Sequence, residues 1–221
     1  MRNIILKNFI YILVGFSAIA WFVMGSISNS DLSKAGDFFG LLPRVVTIDL
    51  LFITIFIKWG WKLRIFKGWL VPFPNLNGTW LGEIQSNWVN PETGESTPPI
   101  PAMLTVKQSF SHISCLMQTK EMRSYSIIEG FCIDDNRQLK QLSYIYTCKP
   151  RNKYNNRSLP HDGSLVFNII ESSCRKLDGR YWTERRTFGE ICMEFYSDKL
   201  LEELPLEISQ HPVSEAGRKL G

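Results

Sequence analysis

The chain has 221 residues, of which 44% are hydrophobic, and its formal net charge is +4. This length allows one or two ordinary domains, and so small a positive excess argues against a protein that binds a nucleic acid polymer without sequence preference. The apolar residues are unevenly distributed, because two long apolar runs precede Pro72 and short segments of alternating polarity follow it. We therefore expect a membrane part followed by a water-soluble β part.

The first apolar run covers residues 4–24 and is interrupted only by Lys7 and Asn8. Roughly 20 residues at about 1.5 Å each span the hydrocarbon core of a bilayer, so we predict a transmembrane helix here. A cleaved signal peptide is the alternative, since Arg2 and Lys7 resemble a basic n-region and residues 18–20 resemble a cleavage motif. That motif lies inside the apolar run and a second run follows, which favours the transmembrane helix.

The second apolar run predicts a transmembrane helix over residues 38–61. Arg44 can extend from a helix end towards the headgroups, whereas Asp49 would lie within the bilayer, where a carboxylate is costly unless it is protonated or paired. Alternatively, the helix begins near Val45, which would leave Asp49 close to the headgroups. Intramembrane charges usually have a function, so Arg44 and Asp49 are candidates for a role in the membrane.

The charges that flank the two runs predict the orientation. Basic residues lie at or before the start of the first run and at or after the end of the second, whereas the connecting loop is mixed in sign. Because basic flanks stay inside, we expect the N-terminus and the whole β part to be cytoplasmic. The basic flanks are Arg2, Lys7, Lys58, Lys62, Arg64 and Lys67.

No catalytic or metal-binding motif stands out. The chain has five cysteines without a C-x-x-C pair and only three histidines, so we expect buried free thiols, no metal site and no cofactor. The sequence contains no nucleophile elbow, zinc-protease motif, P-loop or dinucleotide fingerprint, so we expect a protein that is not an enzyme. The cysteines are Cys115, Cys132, Cys148, Cys174 and Cys192.

Residues 72–197 have the pattern of an all-β domain with eight strands. Short turn-forming segments join consecutive strands, which predicts antiparallel hairpins, and closure into an up-and-down barrel would remove the exposed edges. A β-sandwich is the alternative. For residues 198–221 we expect a tail with a short helix at most and a disordered end. The predicted strands cover residues 79–88, 101–109, 112–119, 123–133, 138–149, 164–173, 177–185 and 187–196.

A Gly-Thr-Trp triplet at residues 78–80 favours a lipocalin-like barrel. Lipocalins carry Gly-x-Trp at the start of their first strand, where the tryptophan closes the floor of the barrel. An ordinary core tryptophan is the other interpretation of Trp80.

The segment from Leu177 to Gly189 is the richest in groups that bind ligands. Strand alternation would place Tyr181, Thr183 and Arg185 on one face, which offers a ring for stacking, a hydroxyl and a guanidinium in a row. Rings stack on bases and arginine forms bidentate pairs with phosphates, so this face suits a nucleotide. An ordinary barrel strand with packed aromatics remains the alternative, and a second basic segment at residues 149–157 is either a solvated loop or a further contact for phosphates or anionic lipids.

The order of these parts resembles the family of CD-NTase-associated protein fifteen, the two-transmembrane β-barrel effectors of bacterial CBASS antiphage defence. The resemblance is carried by two apolar helices, a proline-containing exit, residues 75–82 (NLNGTWLG), eight strands and residues 179–189 (GRYWTERRTFG). It covers nearly the whole chain.

The resemblance implies a function and a mechanism. A partner nucleotidyltransferase would make a cyclic dinucleotide, the barrel would bind it, and the protein would form a homo-oligomer that disrupts the bacterial inner membrane and kills the infected cell. The candidate ligand-binding residues are then Tyr181, Thr183 and Arg185, with Trp80 and Tyr146 as further stacking partners. Two other functions stay open: a membrane-anchored, lipocalin-like carrier or sensor of an apolar molecule, and a structural module that recruits a partner.

Overall fold

The structure is a computed structural model that describes residues 6–29, 33–90, 94–134, 136–154, 159–171 and 174–208. These residues form two compact units. The helical unit continues to Pro74 and includes Ser109–Ser111, and the barrel unit contains the other described residues from Asn75 onwards. Residues 209–221 of the predicted tail, with its expected disordered end, lie outside the described residues, as do the last residues of the second basic segment.

The helical unit contains two long helices, α1 (Leu6–Ile27) and α2 (Ala35–Lys58). Each is long and apolar enough to cross a membrane, and most of its side chains are exposed. Helix α2 begins at Ala35, ahead of the predicted residue 38, and continues through Pro43. It ends at Lys58 instead of residue 61, because the chain tightens there into a 3₁₀ turn over Gly60–Lys62.

Asp49 lies in the middle of α2, so the alternative in which the helix begins near Val45 is wrong. Asp49 is the fourteenth residue after Ala35, the first residue of the helix, which corresponds to about 21 Å along its axis. The Oγ of Ser17 on α1 donates a hydrogen bond to Asp49 Oδ2 at 2.6 Å. Closer to the connecting loop, Arg44 donates to Ser28 Oγ at 3.1 Å. Asp49 is therefore hydrogen-bonded to α1, and Arg44 is hydrogen-bonded to the residue that follows α1.

The barrel unit is a closed, antiparallel, eight-stranded barrel in which each strand pairs with its neighbours in sequence and β1 pairs with β8. The predicted fold class is confirmed, and the β-sandwich is excluded because β1 and β8 share a ladder. Every predicted strand matches an observed one, with ends that differ by at most three residues. The strands are β1 (Gly78–Ser86), β2 (Ile100–Gln108), β3 (Ile113–Gln118), β4 (Met122–Asp134), β5 (Leu139–Pro150), β6 (His161–Glu171), β7 (Arg175–Thr183) and β8 (Phe188–Ser197).

Alternate residues of the strands point into the barrel and form one apolar core. Near the start of β1 this core is filled by Trp80, which is 1% exposed and donates from its indole nitrogen to the carbonyl of Leu76 at 3.0 Å. Phe195 packs edge-on against it, with ring centroids 5.2 Å apart. The guanidinium of Arg175 lies 3.7 Å from the Phe195 ring centre. We call this the Trp80 end of the barrel.

The chain after β8 crosses the outside of three strands before the described part ends. Thr79 donates to the carbonyl of Lys199 at 2.7 Å, and Thr105 donates to the carbonyl of Leu201 at 3.0 Å. Gln118 donates in the same way to Glu202 at 3.0 Å. The start of the predicted tail is therefore bound to the barrel, and the only helical turn described beyond it is the 3₁₀ turn Leu206–Ile208.

The cysteines are free thiols, but only two of them are buried. Cys115 and Cys148 point into the barrel. The prediction of buried thiols is wrong for Cys132, Cys174 and Cys192, which are exposed. Cys192 shows the reason, because it lies between the inward-pointing Ile191 and Met193 and therefore faces outwards.

Candidate functional site

The barrel contains a cavity of about 290 Å³ at the end opposite Trp80. The residues that line it come from the later part of β1, β3, β5 and β7, from the first part of β2, β4, β6 and β8, and from the β1–β2, β3–β4 and β7–β8 connections. We call this the cavity end of the barrel. A partly filled eight-stranded barrel of this kind has room for one small ligand.

Aromatic side chains form one wall of the cavity. Tyr144, Tyr146 and Cys148 alternate along β5 and all point inwards, and Tyr181 points inwards from β7. Burial raises the pKa of Tyr146 and of Tyr181, so both hydroxyl groups remain protonated at neutral pH. The wall therefore combines flat apolar rings with hydrogen-bond donors.

The rings of Tyr146 and Tyr181 each lie beside a glycine on the strand next to their own. Gly163 of β6 pairs with Tyr146, and Gly189 of β8 pairs with Tyr181. A Cβ atom on Gly163 would lie 2.6 Å from the Tyr146 ring, and one on Gly189 would lie 2.8 Å from the Tyr181 ring. Each ring therefore approaches the backbone of a neighbouring strand at a position where a residue with a Cβ atom would leave no room for it.

The turn between β7 and β8 forms part of the rim. Strand β7 ends at Thr183, so Arg185 lies in the turn and not in a strand as predicted. The turn closes through the Thr183 and Thr187 hydroxyls, which are 2.7 Å apart, and through Arg186, whose φ is 61°. Thr183 and Arg185 still line the cavity. The Thr183 hydroxyl thus stabilises the turn that contains Arg185.

The positive charge of Arg185 acts on two groups inside the cavity. Burial raises the pKa of the Cys148 thiol to about 12, an effect that Arg185 opposes. Burial lowers the pKa of His161 and Arg185 lowers it further, against opposing effects of the Leu159 carbonyl, Glu184 and Asp162. The side of the cavity near Arg185 is therefore suited to an anion.

Charged side chains of both signs surround the cavity end. The β5–β6 connection carries Arg151 and Lys153, both exposed, and the β7–β8 turn carries Glu184 and two further arginines. The buried Glu121, in the β3–β4 connection, is the acidic residue among the described cavity-lining residues, and its carbonyl accepts a hydrogen bond from the backbone N–H of Arg151 at 2.8 Å. Arg185 is the arginine that lines the cavity, so an anionic ligand would place its negative groups nearest Arg185.

Four of the five predicted ligand residues meet in this cavity. Tyr146, Tyr181, Thr183 and Arg185 all line it. Trp80 does not line it, because its indole is enclosed in the core at the opposite end. A ligand in this cavity would not stack on Trp80, so Trp80 is not part of the site described here.

Several lining residues were not singled out from the sequence. The most informative are Tyr144, His161 and Glu121. Tyr144 has the same strand parity as Tyr146, so alternation along β5 would have identified it. The sequence holds no comparable signal for His161, which is the first residue of β6, or for Glu121, which lies in a connection.

Comparison with known proteins gives one finding about the family. Residues 71–194, more than half of the 221-residue chain, match the family model described as Cap15, cyclic dinucleotide receptor domain. The match begins shortly before β1 and ends within β8, so it covers the cavity and both ends of the barrel. No curated protein matches the chain.

Proposed function

Because the chain belongs to the Cap15 cyclic dinucleotide receptor family, as the resemblance predicted, we propose that its barrel binds a cyclic dinucleotide in the cavity beside Arg185. The observation that carries the proposal is the meeting of the Tyr146 and Tyr181 rings with one guanidinium in a cavity of about 290 Å³. Rings stack on bases of any sequence, and a guanidinium binds a phosphate through two parallel hydrogen bonds. In this proposal the receptor function and the effector function both depend on binding of the cyclic dinucleotide, and neither includes a catalysed reaction.

The helical unit would deliver the response at the membrane. Its two helices satisfy the length and composition of membrane spans. Asp49 Oδ2 accepts the hydrogen bond from Ser17, and Asp49 Oδ1 is buried with no partner among the described residues. A half-satisfied carboxylate in a bilayer favours arrangements that bring further polar groups to it. We propose that ligand binding drives homo-oligomerisation and that the assembled helices disrupt the bilayer.

The cellular role follows from these steps. A partner nucleotidyltransferase would supply the ligand during phage infection, and membrane disruption would kill the infected cell before phage matures. This role places the protein in the bacterial inner membrane with its N-terminus and barrel in the cytoplasm, where the basic flanks of the helices favour them. It makes the protein a CBASS effector and not an enzyme.

The proposal is tested by thermal unfolding of the full chain in detergent with a panel of ligands. The panel contains cyclic dinucleotides, the matching linear dinucleotides and fatty acids. We expect a cyclic dinucleotide at 100 times its Kd to stabilise the barrel by about 2.7 kcal/mol, and the linear forms to stabilise it less. Stabilisation by fatty acids alone would contradict the proposal and favour the lipocalin-like carrier.

A positive result leads to a second measurement on the same protein. Full-length protein in liposomes should release a trapped dye when the stabilising cyclic dinucleotide is added, and chemical cross-linking should show oligomers in the same samples. Binding without leakage would retain the receptor function and remove membrane disruption from the proposal.

Binding should become tighter as the pH falls, because of His161. Its pKa lies below the usual 6.5, mainly through burial, so the ring is neutral at pH 7.5. A bound dianion favours the protonated ring and raises its pKa, so binding takes up a proton and the affinity rises as the pH falls towards the pKa of the free protein. We expect a gain of about 3- to 10-fold between pH 7.5 and pH 5.5.

Titration calorimetry at a series of pH values measures this gain. The variant His161→Asn should lose it. The matched control His112→Asn should keep it, because His112 lies in the β2–β3 connection at the Trp80 end of the barrel. An affinity that is independent of pH in the wild-type protein would contradict the assignment of His161 to the anion side of the cavity.

A further inference from the structure

Trp88 is a cavity-lining tryptophan in the β1–β2 connection, and it is 38% exposed. Ile84 and Ser86 of β1 also line the cavity, so every second residue up to Trp88 points to the same side. This alternation continues past the end of β1, because the Asn87 N–H still donates to the Phe188 carbonyl of β8 at 2.9 Å. Strand parity, exposure and the cavity lining therefore agree that the Trp88 indole lies at the mouth of the cavity.

The backbone of Trp88 is held by hydrogen bonds from both sides of the β1–β2 connection. The Trp88 N–H donates to Ser86 Oγ at 3.2 Å. The Trp88 carbonyl accepts from the Thr97 N–H at 3.2 Å and from the Thr97 hydroxyl at 3.3 Å. One residue further on, Val89 forms a β-bridge with Ser96. Since Thr97 is itself buried in the cavity lining, the position of Trp88 is set before any ligand binds.

The Trp88 indole is free of contacts with other rings in the part of the chain that the structure describes. Its N–H group forms no hydrogen bond with a described residue, and no described aromatic ring packs against it. Trp80 differs, because its indole donates to the Leu76 carbonyl and packs against Phe195. A single exposed apolar side chain is ordinary on a protein surface, but Trp88 combines exposure with a fixed backbone and a place in the cavity lining. Its ring is therefore available to a ligand at the mouth.

Trp88 and Arg185 are close enough for one ligand to contact both. Ser86 pairs with Gly189 of β8, and the same register continued by two residues places Trp88 opposite Thr187, which also lines the cavity. Neighbouring strands lie about 5 Å apart. Arg185 precedes Thr187 by two residues, which adds at most about 7 Å along the chain. Both side chains are long, so a single ligand at the mouth reaches the indole and the guanidinium.

The size of the cavity requires such a contact at the mouth. Its volume of about 290 Å³ is at the lower end of the roughly 300–1,000 Å³ of pockets that enclose drug-sized ligands. A cyclic dinucleotide has two nucleosides and two phosphates, so part of it remains at the mouth. We propose that one base lies inside the cavity against Tyr146 and Tyr181, and that the other base stacks on the Trp88 indole. This inference rests on the proposed function and adds a second base-binding subsite to it.

The variants Trp88→Ala and Trp88→Phe test the subsite. Full-length protein in detergent is titrated with cyclic di-GMP, cyclic di-AMP, cyclic GMP-AMP and cyclic di-UMP. We expect Trp88→Ala to lose about 5- to 100-fold in affinity for the preferred ligand, because the stacking of one base is lost. Trp88→Phe keeps a ring and should retain most of the affinity. Stacking on a base quenches indole fluorescence, so saturating ligand should quench the wild type and should quench Trp88→Phe much less, although that variant still binds.

The matched control is Trp182→Ala, which removes a tryptophan of similar exposure that is not among the described cavity-lining residues. It should keep the wild-type affinity and the quenching by ligand. Equal losses of affinity in Trp88→Ala and Trp182→Ala would overturn the proposal, and so would wild-type quenching in Trp88→Phe. Ligand binding that is unchanged in Trp88→Ala overturns this inference alone. If the wild-type protein binds none of the four ligands, the proposed function fails and this inference fails with it, so the two failures are distinguishable.

Discussion

Replacing Arg185 with glutamine should lower the affinity for the preferred cyclic dinucleotide by about 10- to 100-fold. Hydrogen bonds to charged groups contribute about 1.5–3 kcal/mol, and each 1.4 kcal/mol changes an equilibrium constant tenfold. Arg185 lines the cavity and acts electrostatically on both Cys148 and His161. Its guanidinium therefore reaches the side of the cavity where the phosphates are expected. Isothermal titration of the full chain in detergent measures the loss.

The matched control is Arg186→Gln in the next position of the same turn. It removes the same charge from an exposed arginine that is not among the cavity-lining residues. We expect a loss below 3-fold, because exposed charges are screened by salt. Equal losses of affinity in the two variants would indicate that the arginines of the β7–β8 turn attract the ligand only through long-range electrostatics. An unchanged affinity in Arg185→Gln would contradict a contact between Arg185 and the ligand.

The fold could be predicted because local signals determine most of it. Most strands have alternating polarity and most connections contain turn-forming residues, so the number and order of strands follow from short segments. The choice between barrel and sandwich depends on the pairing of β1 with β8, which joins the two ends of the domain. No local pattern encodes that pairing, and the lipocalin-like Gly-Thr-Trp triplet served as indirect evidence for closure.

The candidate site was predictable only in part, because local patterns do not show how the strands pair. Alternation placed Tyr181 and Thr183 on one face, and the structure places both in the cavity wall. Arg185 reaches the cavity by a different route, because the strand ends two residues earlier and a turn carries it inwards. Trp80 shares the inward face of the barrel, but strand parity does not tell how far along the axis a residue lies. Depth in the barrel comes from the register between strands, which the sequence alone does not provide.

The position of Asp49 shows a similar limit in the helical unit. Hydropathy located the second helix within three residues at either end. It left open whether the helix began near Val45, since Arg44 can extend from a helix end and a later start would leave Asp49 close to the headgroups. The structure contains a helix that begins at Ala35 and runs through Arg44, and Ser17 on α1 supplies a hydrogen bond to the Asp49 carboxylate. The hydrogen bond to Asp49 thus comes from α1, and the sequence of α2 alone does not show it.

Replacing Trp80 with alanine should lower the free energy of unfolding of the barrel by about 3–5 kcal/mol, the largest stability effect that we expect. The substitution empties the core at the Trp80 end and leaves the Leu76 carbonyl without the indole donor. It also removes a ring on which Phe195 and Arg175 pack. Thermal and denaturant unfolding of the full chain in detergent, followed by near-UV circular dichroism, measures the change.

Two companion variants separate the structural role of Trp80 from a role in binding. Trp182→Ala removes a tryptophan of β7 that is 45% exposed, and it should cost about 1 kcal/mol or less. Trp80→Phe retains most of the core volume, so the barrel should remain folded and bind the cyclic dinucleotide within 2-fold of the wild type. A loss of affinity in Trp80→Phe comparable to that of Arg185→Gln would contradict the placement of the ligand at the cavity end. Equal costs for the two alanine variants would contradict the role of Trp80 as the residue that closes the opposite end.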